Sequence, residues 1–118
     1  GTGAGGVGDG LGSGGQGTGT GGGGSSAVWV KGEIRDRDYP RSAAKSGAGG
    51  AVVAFFDVQT NGRATNCRIS ESSGHADLDA ATCRLIEKRF RYRPAVDAQG
   101  RPVVSEEGWR QTWWLERR

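Results

Sequence analysis

Hydrophobic positions are nearly absent from the first 26 residues and then recur in two distinct periods. From Gly50 to Thr60 the spacing is two: Val52, Ala54, Phe56 and Val58 line one face of a predicted strand. Ala51, Val53 and Phe55 partly cover its other face. Asn61-Gly62 supplies hairpin turn chemistry, since both residues tolerate positive φ, and a returning strand runs from Arg63 to Glu71 with Cys67 and Ile69 on one face. Ser72-Ser73-Gly74 breaks it. The period then changes: Leu78, Ala81, Leu85 and Ile86 describe a helix with one buried face, N-capped by Asp77. Its end is Arg89-Phe90-Arg91-Tyr92-Arg93-Pro94, where Pro94 forbids continuation, Phe90 and Tyr92 anchor in the core and the three arginines stay in water. A polar loop turning at Gly100 leads to a last strand, Val103 to Leu115, with Glu106-Glu107-Gly108 as its expected interruption. Upstream, Ala27 to Val30 reads as a short strand or extended lead-in. Pro40 opens a short helix through Lys45, ended by Gly47. The order helix-strand-strand-helix-strand predicts an α+β fold of two layers, a three-stranded antiparallel sheet packed by two helices on one face.

Composition divides the 118 residues in two. Fifteen of the 23 glycines fall before residue 27, and only Val7 and Leu11 there could join a core. Such a stretch cannot offset the entropy of ordering it, so residues 1–29 are expected to be a flexible linker and 30–118 the folded domain. No run of apolar residues is long enough to span a membrane, and the chain lacks Met and starts with Gly. It therefore reads as a fragment, with any anchor or export signal expected upstream. The formal charge of +3 is mild and interleaved in sign, which gives little footprint for nucleic acid.

Cys67 on a strand and Cys83 on the following helix admit two states, a disulfide or two buried thiols. A disulfide would imply an oxidising compartment. Other candidate chemistry is thin. Gly-Thr-Gly-Ala-Gly-Gly at residues 1–6 has neither the preceding strand nor the following helix of a dinucleotide site. Ser72, Ser73 and His75 are neighbours in one turn, whereas a nucleophilic triad needs independent positions and an orienting carboxylate. His75 alone makes no zinc site. No catalytic residue, metal or cofactor is expected.

Several spaced motifs together carry a resemblance. Tyr39-Pro40 with Ala43-Ala44 and Gly47, Gly50-x-Val52, Phe56-x-Val58, Asn61-Gly62-Arg63, Ser72-Ser73-Gly74, Leu78-Asp79-x-Ala81 and Arg89-Phe90-Arg91-Tyr92-Arg93-Pro94-Ala95 stand in the order found in the TonB C-terminal domain family. The chain resembles that family over about residues 35–115. The resemblance implies a periplasmic domain of an inner-membrane-anchored energy transducer. Its partners would be ExbB and ExbD, through a region absent here, and outer-membrane transporters importing siderophores, vitamin B12 or other nutrients. The transporter's TonB box would pair with the final strand, and a homodimer through the same strand is the alternative use of that edge. Departures are Asp36-Arg37-Asp38 where the family has a Gln/Pro-rich triplet, a glycine-rich linker, and Cys67 and Cys83 at positions that are usually apolar.

The binding residues this implies are Trp109, Arg110, Gln111, Thr112, Trp113 and Trp114 along the strand, with Tyr39 and Pro40 as a docking corner. A bare strand edge can capture an extended peptide through its main chain, which is compatible with that mechanism. Two other classes stay open at the level of sequence. One is a structural envelope module, TolA-like or peptidoglycan-associated. The other is a small nucleic-acid-binding domain, whose binding would weaken steeply with salt.

Overall fold

The computed structural model describes residues 2–12 and 24–117. In chain order the elements are β1 (Thr2–Gly12), β2 (Val28–Lys31), a 3-10 turn (Asp36–Asp38), α1 (Arg41–Ser46), β3 (Gly50–Val58), β4 (Ala64–Glu71) and α2 (Ala76–Arg89). After these come β5 (Arg91–Arg93), β6 (Ala95–Val96), β7 (Pro102–Val103) and β8 (Ser105–Arg117). The main sheet has the order β1-β8-β3-β4, and every neighbouring pair is antiparallel. The expected three-stranded antiparallel sheet with two helices is present as β8, β3 and β4 with α1 and α2. The glycine-rich segment adds a fourth strand at the edge.

The period-two face of β3 makes the core. Val52, Ala54, Phe56 and Val58 are all fully buried. Ala54, Phe56 and Val58 pack with Ile86 of α2 and with Phe90 and Tyr92 beyond it. Val52 packs with Leu78, Ala43, Tyr39 and Trp113. Both helices thus cover one face, as their apolar stripes require. The α2 periodicity is visible in what it buries: Leu78, Ala81, Thr82, Leu85 and Ile86. Beyond α2 the chain is extended, so Phe90 and Tyr92, two residues apart, point to the same side and both meet Phe56, with ring centroids 6.2 and 5.9 Å away and 6.5 Å from each other.

Local differences from the sequence expectation have identifiable causes. The helix starts two residues early, with His75 rather than Asp77 as N-cap; Asp77 sits in the first turn, where its charge suits the dipole. Asp79 instead gathers the preceding turn, accepting hydrogen bonds from the Ser73 amide at 3.0 Å and from the Ser73 and Ser72 hydroxyls. Burial opposes ionisation there, but those bonds hold the carboxyl below its ordinary range. The serines are therefore turn residues. In the hairpin turn, of Asn61 and Gly62 only Gly62 takes positive φ, +86°, and the Asn61 side chain accepts from the Arg63 amide. Gly62 is required on a second count: β5 passes directly against it, Tyr92 N–H donating to its carbonyl at 2.9 Å, and a Cβ there would clash with the Tyr92 carbonyl oxygen. Arg89 does not simply stay in water. Its guanidinium clamps both Asp38 carboxylate oxygens at 2.7 and 3.0 Å and the Glu33 carbonyl at 3.0 Å.

The largest difference is at the ends of the sheet. Val28–Lys31 pairs with β5 where Ala27 to Val30 was expected as a short strand or lead-in. Of the linker expected over residues 1–29, Thr2–Gly12 pairs with β8, and residues 13–23 lie outside the described residues. Composition argued against order in Thr2–Gly12 because it offers little apolar surface. Strand pairing uses the main chain alone, and β8 supplies a ready partner. At the other end, Glu106-Glu107-Gly108 does not interrupt β8. Those residues pair with Asp57, Phe56 and Phe55, and the break falls at Val104, just outside the strand.

Candidate functional site

β8 is the long central strand of the sheet, and its two faces differ. Ser105, Glu107, Gln111 and Trp113 are buried toward the helices, while Glu106, Arg110 and Trp114 are exposed on the opposite face. Trp113 fixes the strand to the helical layer. Its indole N–H donates to Thr82 Oγ1 at 3.1 Å, and Thr82 in turn donates to the Leu78 carbonyl at 2.8 Å. Tyr39 lies edge-on to Trp113, 6.0 Å between centroids, and its hydroxyl donates to the Ala48 carbonyl. Trp109 lies edge-on to Phe90 at 4.7 Å and donates to Gln111 Oε1 at 3.0 Å. On the open face, Arg68 of β4 is paired with Glu106 and, at 3.2 Å, with Asp57.

These contacts distribute the expected binding residues. Trp109 and Trp113 are turned to the core, so their side chains hold the strand in place. Arg110, Thr112 and Trp114 face outward, Trp114 with 38% of its surface exposed. Tyr39 is a core residue at 9% exposure, and Pro40 is the half-buried N-cap of α1. The structure brings Tyr39 to β8 through its contact with Trp113, but it presents little of the ring outside. Cys67 and Cys83 form a disulfide, with Cα atoms 5.5 Å apart, which ties α2 to β4. Of the two states that sequence left open, the oxidised one is present.

The edge of β8 that faces away from β3 is where a further strand can add. It is filled by β1, in register from Thr2 opposite Arg117 to Gly10 opposite Trp109, with an irregularity before Gly12 opposite Gly108. Gly8 lies opposite Gln111. A Cβ there would come within 2.5 Å of Gln111 Oε1 and closer still to Trp109 Nε1, so only glycine fits.

Glu107 is the residue that sequence reasoning misread, as part of a strand break. Continuing the alternation of Trp109, Gln111 and Trp113 back by one step would have placed it on the buried face. Burial pushes its carboxyl up to about 7, and Oε2 has no hydrogen-bond partner among the described residues. Burial, and then the nearby Glu107, also pushes the Tyr92 phenol up. Because the folded carboxyl titrates above its unfolded value, the native state holds the extra proton between those two values. Stability is therefore highest at the acid end and falls as pH rises through about 7. Glu107→Gln is expected to raise stability at about pH 8 by roughly 2 kcal/mol and to flatten the fall from about pH 5. Urea unfolding at both pH values measures this, and an unchanged slope would show that Glu107 is not the titrating group.

Comparison with known proteins gives a consistent result. The family model for the Gram-negative bacterial TonB protein C-terminal matches residues 35–108. Two curated proteins named Protein TonB, from Xanthomonas campestris pv. campestris strains B100 and ATCC 33913, are each 38% identical over 50 residues. That alignment covers 42% of this chain and 22% of each relative, so the chain spans about a fifth of their length. The solution NMR structure of the Pseudomonas aeruginosa TonB CTD superposes with a TM-score of 0.54 at 21% identity. It covers 80% of this chain and 88% of that one, a likeness of fold.

Proposed function

The chain belongs to the TonB C-terminal family, and on that premise we propose that it is a docking module that captures an extended transporter peptide by strand addition to β8. The observation that carries this reading is that the β8 edge accepts a strand of almost no side-chain content. Eight of the twelve residues 1–12 are glycine or alanine, the others being Thr2, Val7, Asp9 and Leu11, and pairing still extends along the strand. Affinity at such an edge comes from main-chain hydrogen bonds, so one module can serve transporters of differing sequence. The side chains of Trp113, Trp109 and Tyr39 hold the edge rigid from behind, and Arg110, Thr112 and Trp114 offer contacts beside it.

The wider setting belongs to the same proposal: a periplasmic position, force delivered from an ExbB–ExbD motor through a membrane anchor, and import of siderophores, vitamin B12 or other nutrients. The Cys67–Cys83 disulfide supports an oxidising compartment. Among the described residues no helix is long and apolar enough to cross a membrane.

Calorimetric titration with a synthetic TonB-box peptide tests the docking mode. Alternate amides of an added strand point toward and away from its partner, so N-methylating one alternate set is expected to weaken binding at least tenfold. That corresponds to losing about 1 kcal/mol at each of two or so hydrogen bonds, while methylating the other set is tolerated. Equal tolerance of both sets would exclude strand addition.

A further inference from the structure

The docking edge proposed above is not bare, and this inference rests on that reading. We infer that β1 is a resident competitor: an intramolecular strand that occupies the β8 edge and must leave before a partner peptide can pair there. Its register covers Trp109 to Arg117, which includes the whole of the expected docking stretch, Trp109 to Trp114. Two strands cannot share one row of main-chain donors and acceptors, so occupation by β1 excludes an incoming peptide.

The composition of β1 makes it a weak occupant. Glycine loses more conformational freedom on ordering than any other residue and contributes no side chain to pack. Opposite Gly8, Gln111 is fully buried, yet its Nε2 has no hydrogen-bond partner among the described residues. The resident strand thus satisfies the exposed ladder without satisfying the side chains behind it. Such an occupant keeps the edge from pairing with other open strands, and it yields to a peptide that brings side-chain contacts of its own. Gly8 is the position that permits the fit, because any Cβ there meets Trp109 and Gln111.

Gly8→Val in the full chain should expel β1 by steric clash, and Gly8→Pro should do so independently by removing an N–H and restricting φ. Amide hydrogen exchange reads occupancy directly. In the parent chain the β8 amides facing away from β3 are expected to be protected, independently of protein concentration, and in both variants they should exchange freely. Titration with the synthetic TonB-box peptide should then give at least about fivefold tighter binding for the variants, since apparent affinity scales with the fraction of open edge. Equal exchange in parent and variants, or protection that grows with protein concentration, would overturn the intramolecular occupant. Opened edges with unchanged peptide affinity would overturn the competition. A variant whose edge is open but takes no peptide would refute the docking reading itself, and with it the competitor role.

Discussion

Phe90→Ala is expected to lower the unfolding free energy by about 3 to 5 kcal/mol, the range for truncating a fully buried Phe. Phe90 has no exposed surface and joins three aromatic partners: Phe56 at 6.2 Å, Tyr92 at 6.5 Å and Trp109 at 4.7 Å. The residue sits where α2 ends and the chain turns extended, so the cavity would open under β3, β5 and β8 together. Trp109 would lose the ring that holds it, which loosens the start of the proposed docking stretch. Urea unfolding monitored by tryptophan fluorescence gives the magnitude. A loss below about 1 kcal/mol would mean that the aromatic cluster is not the centre of the fold.

Reduction of the Cys67–Cys83 disulfide is expected to cost about 3 kcal/mol, from a sequence separation of 16 and the chain-entropy relation. The bridge closes the segment containing the Ser72–Gly74 turn and the first half of α2, and α2 packs over the sheet through Leu78, Leu85 and Ile86. Cys67 is also held by its own amide, which donates to Glu87 Oε2 at 2.8 Å, so α2 and β4 stay in contact after reduction. The reduced domain should therefore remain folded but melt at lower urea. Unfolding curves with and without reductant, checked against a Cys67→Ser and Cys83→Ser double variant, decide this. Coincident curves would show that the bridge contributes nothing.

The parts of the fold that burial dictates were legible in the sequence. Val52 to Val58 and Leu78 to Ile86 carry clean periods of two and of three to four, and both faces they predict are buried. Phe90 and Tyr92 were legible as anchors because aromatic residues before Pro94 had to leave the helix inward. The alternation of Trp109, Gln111 and Trp113 with Arg110, Thr112 and Trp114 is also legible in the sequence, and it separates buried Trp113 from exposed Trp114. What escaped has a different physical origin. β6 and β7 are ladders of two residues, too short to carry a period. The clamp of Arg89 on Asp38 joins residues 51 apart, and local pattern says nothing of that pairing. β1 escaped because glycine has no side chain from which a period could be read; its order comes from the partner strand. Glu107 escaped because Glu106-Glu107-Gly108 read as an interruption of the strand, although the alternation around it pointed inward.

Amide shifts of the isotope-labelled chain, titrated with a TonB-box peptide, test most directly whether β8 is the docking edge. The account predicts that the largest shifts run along Trp109 to Trp114, with smaller ones on the β3 residues paired to them, Gly50 to Ala54. Shifts confined to α2, with Trp109 to Trp114 unmoved at saturation, would contradict it.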